Sequence, residues 1–181
     1  MGIHCVNLDE NRKLGDFWER QFCNMALRYG RSITAQQIGR TSSAVAWTRM
    51  QGKPHPYTLP DVTVWTAPGE HHEIKHKAPT GGGSFGLEVY RFDALLWFAK
   101  ETGQRVMYTI HNHALAGGRD VTANDIAHWQ TVNVADLDGA HWKRANDWSW
   151  IGGERRKTDI YFWRAALWGP LAMFWRDTHL T

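Results

Sequence analysis

Apolar residues recur at three- and four-residue steps through Leu14, Trp18, Phe22, Met25 and Tyr29. That stripe predicts an amphipathic helix from about Leu14 to Tyr29. Asp16 adds negative charge to its first turn, and Gly30 is a stop signal. Further on, the period shortens to two. Leu59 to Trp65 reads as a strand with Val62 and Val64 on one face and Asp61 and Thr63 on the other. His71 to Lys77 reads as the return strand, and Ala67-Pro68-Gly69-Glu70 as the turn of a hairpin. Between the first helix and this hairpin, Ser42 to Trp47 fits either a strand or a loose turn. Gln51-Gly52-Lys53-Pro54-His55-Pro56 reads as a loop. After a flexible Gly81-Gly82-Gly83, the positions Leu87, Tyr90, Ala94, Leu95 and Phe98 predict a second helix, Leu87 to Thr102, ended by Gly103. Arg105 to Ile110 and Thr131 to Leu137 read as strands, with a short turn or helix capped by Thr122 and running to Trp129 between them. Tyr161 to Trp175 is aromatic and apolar, and predicts helix on one or both sides of the Gly169-Pro170 break. The order predicts an α/β fold, a central mixed β-sheet flanked by α-helices. The expected organisation is a single domain over residues 1–181, with a core at about 14–137 and an aromatic C-terminal extension at about 138–181.

Composition narrows this picture. With 43% hydrophobic residues in 181, the chain encloses a real core and is not disordered. A net charge of +3 and a pI near 9.0 are compatible with a polyanionic partner without demanding one. Cys5 and Cys23 make no disulfide framework, which points to a reducing cytoplasm. Met1 to Glu10 has no apolar run of signal-peptide length, and no segment reaches the roughly 18 apolar residues of a membrane span. A cytoplasmic protein without membrane contact is expected.

The candidate chemistry lies in the predicted hairpin. Pro60-Asp61 opens its first strand, and Glu73-Ile74-Lys75 lies in its second. Alternation puts Glu73 and Lys75 on one face and Ile74 in the core. Pairing of the two strands brings Asp61 beside them. Two carboxylates and a lysine then share a small volume, which suits a divalent cation and a phosphodiester. Asp61 and Glu73 are the expected metal ligands, and the backbone carbonyl of Ile74 is a natural third. The Lys75 ammonium would orient the attacking water or stabilise developing charge, and a metal beside it would depress its pKa.

This set, Pro60-Asp61 followed by Glu73-Ile74-Lys75, resembles the PD-(D/E)XK nuclease superfamily. The glycine-bearing loop, amphipathic helix and strand that follow are similar too, and the resemblance spans roughly residues 14–113. It implies a restriction-endonuclease-like core, Mg²⁺ or Mn²⁺ dependence and 5′-phosphate products. It also implies that an acidic residue of the first helix joins the metal site, and Glu19 in Gly15-Asp16-Phe17-Trp18-Glu19 is the matching position. Size and element order resemble the Holliday-junction-resolvase group and small phage recombination nucleases. The expectation is a Mg²⁺-dependent DNA endonuclease, with branched DNA or a Holliday junction one candidate substrate beside a flap, a free end or a specific site, and a homodimer, since a two-strand cut needs two sites.

Other features weigh less. Arg12, Lys13, Arg20, Arg40, Lys53 and Lys77 are the candidate DNA contacts, although single surface cations are most often only solvated. Glu154-Arg155-Arg156-Lys157 reads as a solvated surface run, and Trp163, Trp168 and Trp175 as core or a dimer face. His71, His72 and His76 with His4 or Cys5 match no zinc spacing. His111-Asn112-His113 spells the name of the HNH nucleases without their spacing, and Gly81-Gly82-Gly83-Ser84 is not followed as a phosphate loop is. Two rival classes stand beside the enzyme: a catalytically inactive DNA-binding module on the same scaffold, and an unrelated domain that binds a protein through its aromatic tail. The complete acid, acid, lysine set counts against the first. Loss of partner binding on truncation after about Asp159, with nucleic-acid affinity unchanged, would support the second.

Overall fold

The structure, a computed structural model, describes residues 8–35, 46–50, 53–57, 60–65, 69–151 and 154–176. The chain runs α1 (Leu8–Arg28), β1 (Ser32–Ala35), β2 (Ala46–Met50), β3 (Lys53–Tyr57), β4 (Val62–Trp65), β5 (Glu70–Lys77), β6 (Ser84–Glu88) and α2 (Val89–Thr102). It continues with β7 (Arg105–Asn112), β8 (Trp129–Asn133), α3 (Val134–Leu137), β9 (Lys143–Ile151), β10 (Glu154–Arg164), β11 (Gly169–Pro170) and α4 (Leu171–Arg176). A six-stranded mixed sheet has the order β1-β4-β5-β7-β8-β11. Its one parallel pair is β5 with β7, because α2 crosses between them.

Each face of the sheet is covered. On one, Trp18, Phe22, Met25 and Ala26 of α1 pack on Val62, Val64, Ile74, Trp129, Leu171 and Trp175. On the other, Phe92 and Leu95 of α2 pack on Val106, Tyr108 and Ile110, with Phe85, Leu87, Trp163 and Trp168 closing the layer. Each large side chain buried this fully contributes roughly 1.5–3 kcal/mol. The fold is therefore the expected α/β architecture, a central mixed sheet flanked by helices.

The local reading is corrected in several places. α1 begins six residues before Leu14, and Tyr29 follows it in an exposed turn. The stretch read as a loop at 51–56 contains β3, paired antiparallel with β2. Pro54 and Pro56 are tolerated there because a two-stranded ribbon leaves each strand a free edge. Of Ser42 to Trp47, only Ala46 and Trp47 are described, and they open β2. Leu87 lies in β6, not in a helix: α2 starts at Val89, and Phe92 takes the core position. Asp125, not Thr122, caps the short 3-10 turn at 126–128, accepting from Ala127 N at 2.9 Å. The strand expected to reach Leu137 stops at Asn133, whose side chain caps α3.

The largest correction is at the C-terminal end. Glu154 to Arg164 is a strand, paired with β9 on one side and β6 on the other. α-Helix follows the Gly169-Pro170 break, and a short 3-10 turn at 165–167 precedes it. Trp163, Trp168 and Trp175 are core residues, so they offer no face to a second subunit or a protein partner. Truncation after Asp159 would remove part of both hydrophobic layers.

The β6–β10 pair is close. An added Cβ at Gly86 would meet the Phe162 ring at 2.9 Å and Ile160 at 3.0 Å. Gly86→Ala should therefore lower stability by about 1–3 kcal/mol, the range for overpacking. Urea unfolding midpoints check it, and an unchanged midpoint would show that the ring yields freely.

Candidate functional site

β4 and β5 form the predicted hairpin, with Val62 opposite His72 and Thr63 opposite His71. Extending that register one residue puts Asp61 opposite Glu73. The Asp61 carboxylate bends back onto the ladder, and its Oδ2 accepts from the backbone N–H of Ile74 at 2.7 Å. Ile74 points into the α1 layer, as alternation requires. Glu73 and Lys75 lie on the α2 side.

Lys75 is the centre of the cluster. Its ammonium donates to Glu73 Oε1, donates to the Ile74 carbonyl at 3.1 Å and lies 3.9 Å from Asp61 Oδ2. The structure thus brings Asp61, Glu73, Lys75 and the Ile74 carbonyl together. Glu19 reaches the same group from α1: the charges of Asp61, Lys75 and Glu73 all act on it.

One member was not read from the sequence. Arg91, on the first turn of α2, donates through Nη1 to Glu73 Oε1. A signal was available: no acidic residue occupies that first turn, and a cation there opposes the helix dipole unless something pairs it. Glu73 is 0% exposed. Burial alone would raise its pKa, but Arg91 and Lys75 outweigh that and hold it below the ordinary carboxylate range. Its second oxygen, Oε2, is buried without a hydrogen-bond partner among the described residues.

The other two carboxylates move the opposite way. Burial, then the charge of Asp61, pushes Glu19 up to about 7. Burial, then the charge of Glu73, pushes Asp61 up to about 6. Burial would lower Lys75, but Glu73 prevails and Lys75 rises above its ordinary value, so in the metal-free chain it is a firm ammonium. Lys77 extends the same face. Its ammonium donates to the Gly86 carbonyl at 2.7 Å, and burial draws it down to about 8. Of the remaining candidate DNA contacts, Lys13 and Arg20 are exposed on α1, Arg12 lies in the same helix and Lys53 opens β3. Arg40 lies outside the described residues.

His72, His76 and His111 belong to the opposite face, while His71 lies on the Glu73 face against Phe98 of α2. His76 and His111 share a hydrogen bond at 3.0 Å and stack on Trp18, with ring centroids at 4.7 and 3.5 Å. Burial, then neighbouring histidine charge, lowers His76 to about 4 and His111 to about 3, so both are neutral at pH 7. His72 is buried between Glu70 and Thr109. Among the described residues no group of three or more His, Cys, Asp or Glu gathers to hold a metal, and His4 and Cys5 lie outside them.

Glu19 supplies a test of this electrostatic picture. A carboxyl raised from 4.5 to about 7 binds its proton more tightly in the folded chain. Its contribution to stability is therefore present at low pH and lost as pH rises through about 7. Glu19→Gln should raise stability in EDTA at pH 8 by on the order of 1 kcal/mol after solvent screening, and the gain should vanish by pH 5. His76 and His111 destabilise the fold in acid, but equally in both proteins, so the difference isolates Glu19. Urea midpoints at the two pH values check it, and a pH-independent difference would refute it.

No protein-family model matches the chain, and no curated protein matches it. Among solved structures it is similar to the 1.6 Å structure of Hjc, a Holliday junction resolvase from the hyperthermophilic archaeon Archaeoglobus fulgidus. The two share 12% identity over 90% of this chain and 95% of that one, with a TM-score of 0.49. Among the described residues no helix is long and apolar enough to cross a membrane.

Proposed function

We propose that this chain is a metal-dependent DNA endonuclease of the PD-(D/E)XK kind that hydrolyses phosphodiester bonds. The observation that carries the reading is the meeting of Asp61, Glu73 and Lys75 around one ammonium, with Glu73 buried yet ionised. A structural ion pair needs one carboxylate for each cation. Here three carboxylates share two cations, Lys75 and Arg91, and two of them, Glu19 and Asp61, are held above their ordinary range. Such frustration is relieved by added positive charge, and it is the pattern functional sites show.

The residues fit a divalent cation. Glu73 Oε2 is a buried acceptor without a partner among the described residues, and Asp61 and the Ile74 carbonyl are hard oxygens of the kind Mg²⁺ or Mn²⁺ takes, while Glu19 is not gathered with the two acids into a three-carboxylate set. The bound ion would supply positive charge at the scissile phosphate and acidify nearby water. The protein's own part is positioning and charge. Asp61, tied to the Ile74 N–H, presents a fixed oxygen at the hairpin rim. Arg91 fixes and ionises Glu73. Lys75, within reach of Asp61 and Glu73, would orient the water for in-line attack or offset charge on the phosphorus oxygens. Branched DNA is the proposed preferred substrate, and a homodimer the proposed assembly.

The test uses the full chain with supercoiled plasmid and a synthetic four-way junction. Cleavage in Mg²⁺ or Mn²⁺ and none in EDTA, with 5′-phosphate ends, is the expected result. DNA that is bound but left uncut in both metals would make the chain a binding module instead.

A further inference from the structure

We propose that the β9–β10 hairpin is a second nucleic-acid contact, a platform on which an unpaired stretch of DNA stacks. The identity of the polymer rests on the nuclease reading; the binding itself does not require cleavage.

Charge is the first observation. Residues 141–164 hold six Lys and Arg against three Asp and Glu. This segment alone carries a net charge equal to the whole chain's +3, and the remainder is balanced. The run Glu154-Arg155-Arg156-Lys157, read from sequence as solvated surface, is one strand of it.

Placement is the second. β6 pairs with β10 only over residues 160–164, while β9 pairs along all of 154–162. The outer half of the hairpin therefore extends past the body as a two-stranded ribbon. In its register Lys157 lies opposite Trp148 and Arg155 opposite Trp150, so Lys157, Arg155 and Trp148 share a face. Trp148 is 50% exposed, with the Arg155 guanidinium 5.1 Å and the Lys157 ammonium 5.6 Å from its ring centroid. At the root, Arg164 lies 4.3 Å over Trp142, itself 46% exposed. Among the described residues neither Arg155, Lys157 nor Arg164 has a carboxylate within ion-pair distance, whereas Arg144 is paired with Asp159.

A half-exposed indole ringed by unneutralised cations suits one ligand class best. An unpaired base stacks on the ring while its phosphates meet the cations. A duplex hides its base faces and can use only the charge. By the register the face around Trp148 carries Asn146, Asp159, Arg155 and Lys157, too polar for a membrane-inserting surface.

Continuity is the third observation. A cavity of about 290 Å³ lies at the hairpin root, lined by Asp147, Trp148 and Ser149 on one side and Lys77 and Glu88 on the other. Lys77 is two residues along the same face from Lys75. Ser149 donates to Glu88, the residue before α2, and α2 carries Arg91. By the register Ser149 and Asp147 face this cavity from the side of the hairpin opposite Trp148, and its lining sets Lys77 against Glu88 and Asp147, so it ties the hairpin to β5 without forming a cationic path.

The experiment measures binding of the full chain, in EDTA, to fluorescein-labelled 20-nucleotide oligo(dT) and to a 20-base-pair duplex. We expect tryptophan quenching by oligo(dT). Trp148→Ala should weaken oligo(dT) binding about tenfold and duplex binding less than twofold, while Trp148→Phe restores most of the difference. Arg155→Gln with Lys157→Gln should lower the salt dependence for both ligands. Thermal melts confirm that each variant folds. Equal effects of Trp148→Ala on both ligands, or binding only to anionic vesicles or an acidic peptide, would overturn the proposal. Binding is read in EDTA and so does not depend on cleavage. Binding without cleavage in the wild type would therefore remove the nuclease reading and leave this one standing.

Discussion

Asp61→Asn should abolish DNA cleavage, by at least about 10²–10³-fold in single-turnover rate, without unfolding the protein. The geometry makes this the cleanest substitution in the site. Asparagine keeps an oxygen for the Ile74 N–H, which the native carboxylate holds at 2.7 Å, so the hairpin rim is retained. It also removes a charge that the folded chain carries at some cost, since burial and Glu73 raise Asp61 to about 6. Stability at pH 8 should hold or increase while activity disappears. Glu73→Gln should be as inactive but less stable, because Lys75 and Arg91 both lose their counter-charge. Lys75→Met should lose activity by a similar factor. Quenched-flow cleavage of the plasmid and four-way junction, read beside melting temperatures, separates these cases. An Asp61→Asn protein that cuts within tenfold of the wild type would remove Asp61 from the chemistry.

Much of this site was legible in the sequence because strand periodicity is a strong constraint. Val62 and Val64 alternate with Asp61 and Thr63, and Ile74 alternates with Glu73 and Lys75, so burial of the valines and of Ile74 forces the polar residues to the other side. The turn between the runs then left only a hairpin, and the ladder did the rest. The α1 stripe was legible for the same reason, with a period of 3.6. Where patterns failed, packing had overridden them. Leu87 fits a helical stripe with Leu95, yet lies in a strand because β6 has β10 to pair with. β10 itself reads as charge followed by aromatics. Its outer half buries neither face, so it shows no apolar alternation, and its inner half is covered only through the tertiary fold. Arg91 looks like any helix cation until β5 is placed beneath it.

Arg91 also carries the largest expected loss of stability. Glu73 is 0% exposed, and its charge is held by Lys75 and Arg91 together. Arg91→Ala leaves a buried carboxylate with one partner and an Oε2 that already has none among the described residues. Breaking a buried pair from one side costs about 3–5 kcal/mol, and the partly exposed Arg91 side chain puts this case near the lower figure. The sign of the pH dependence follows from which influence remains. In the native protein Glu73 titrates below its ordinary 4.5, so it adds stability above that pH, lost as the pH falls through its folded value. Without Arg91 the burial effect dominates and the Glu73 pKa rises. The folded variant then takes up a proton that the native protein does not, and its deficit should shrink as pH falls from 8 to 5. Arg91→Ala combined with Glu73→Met should cost less than the sum of the single changes, because no buried charge is left unpaired. Urea unfolding of the four proteins at both pH values measures this. A deficit that is the same at pH 8 and 5, or strictly additive costs, would mean that Arg91 does not govern the Glu73 charge.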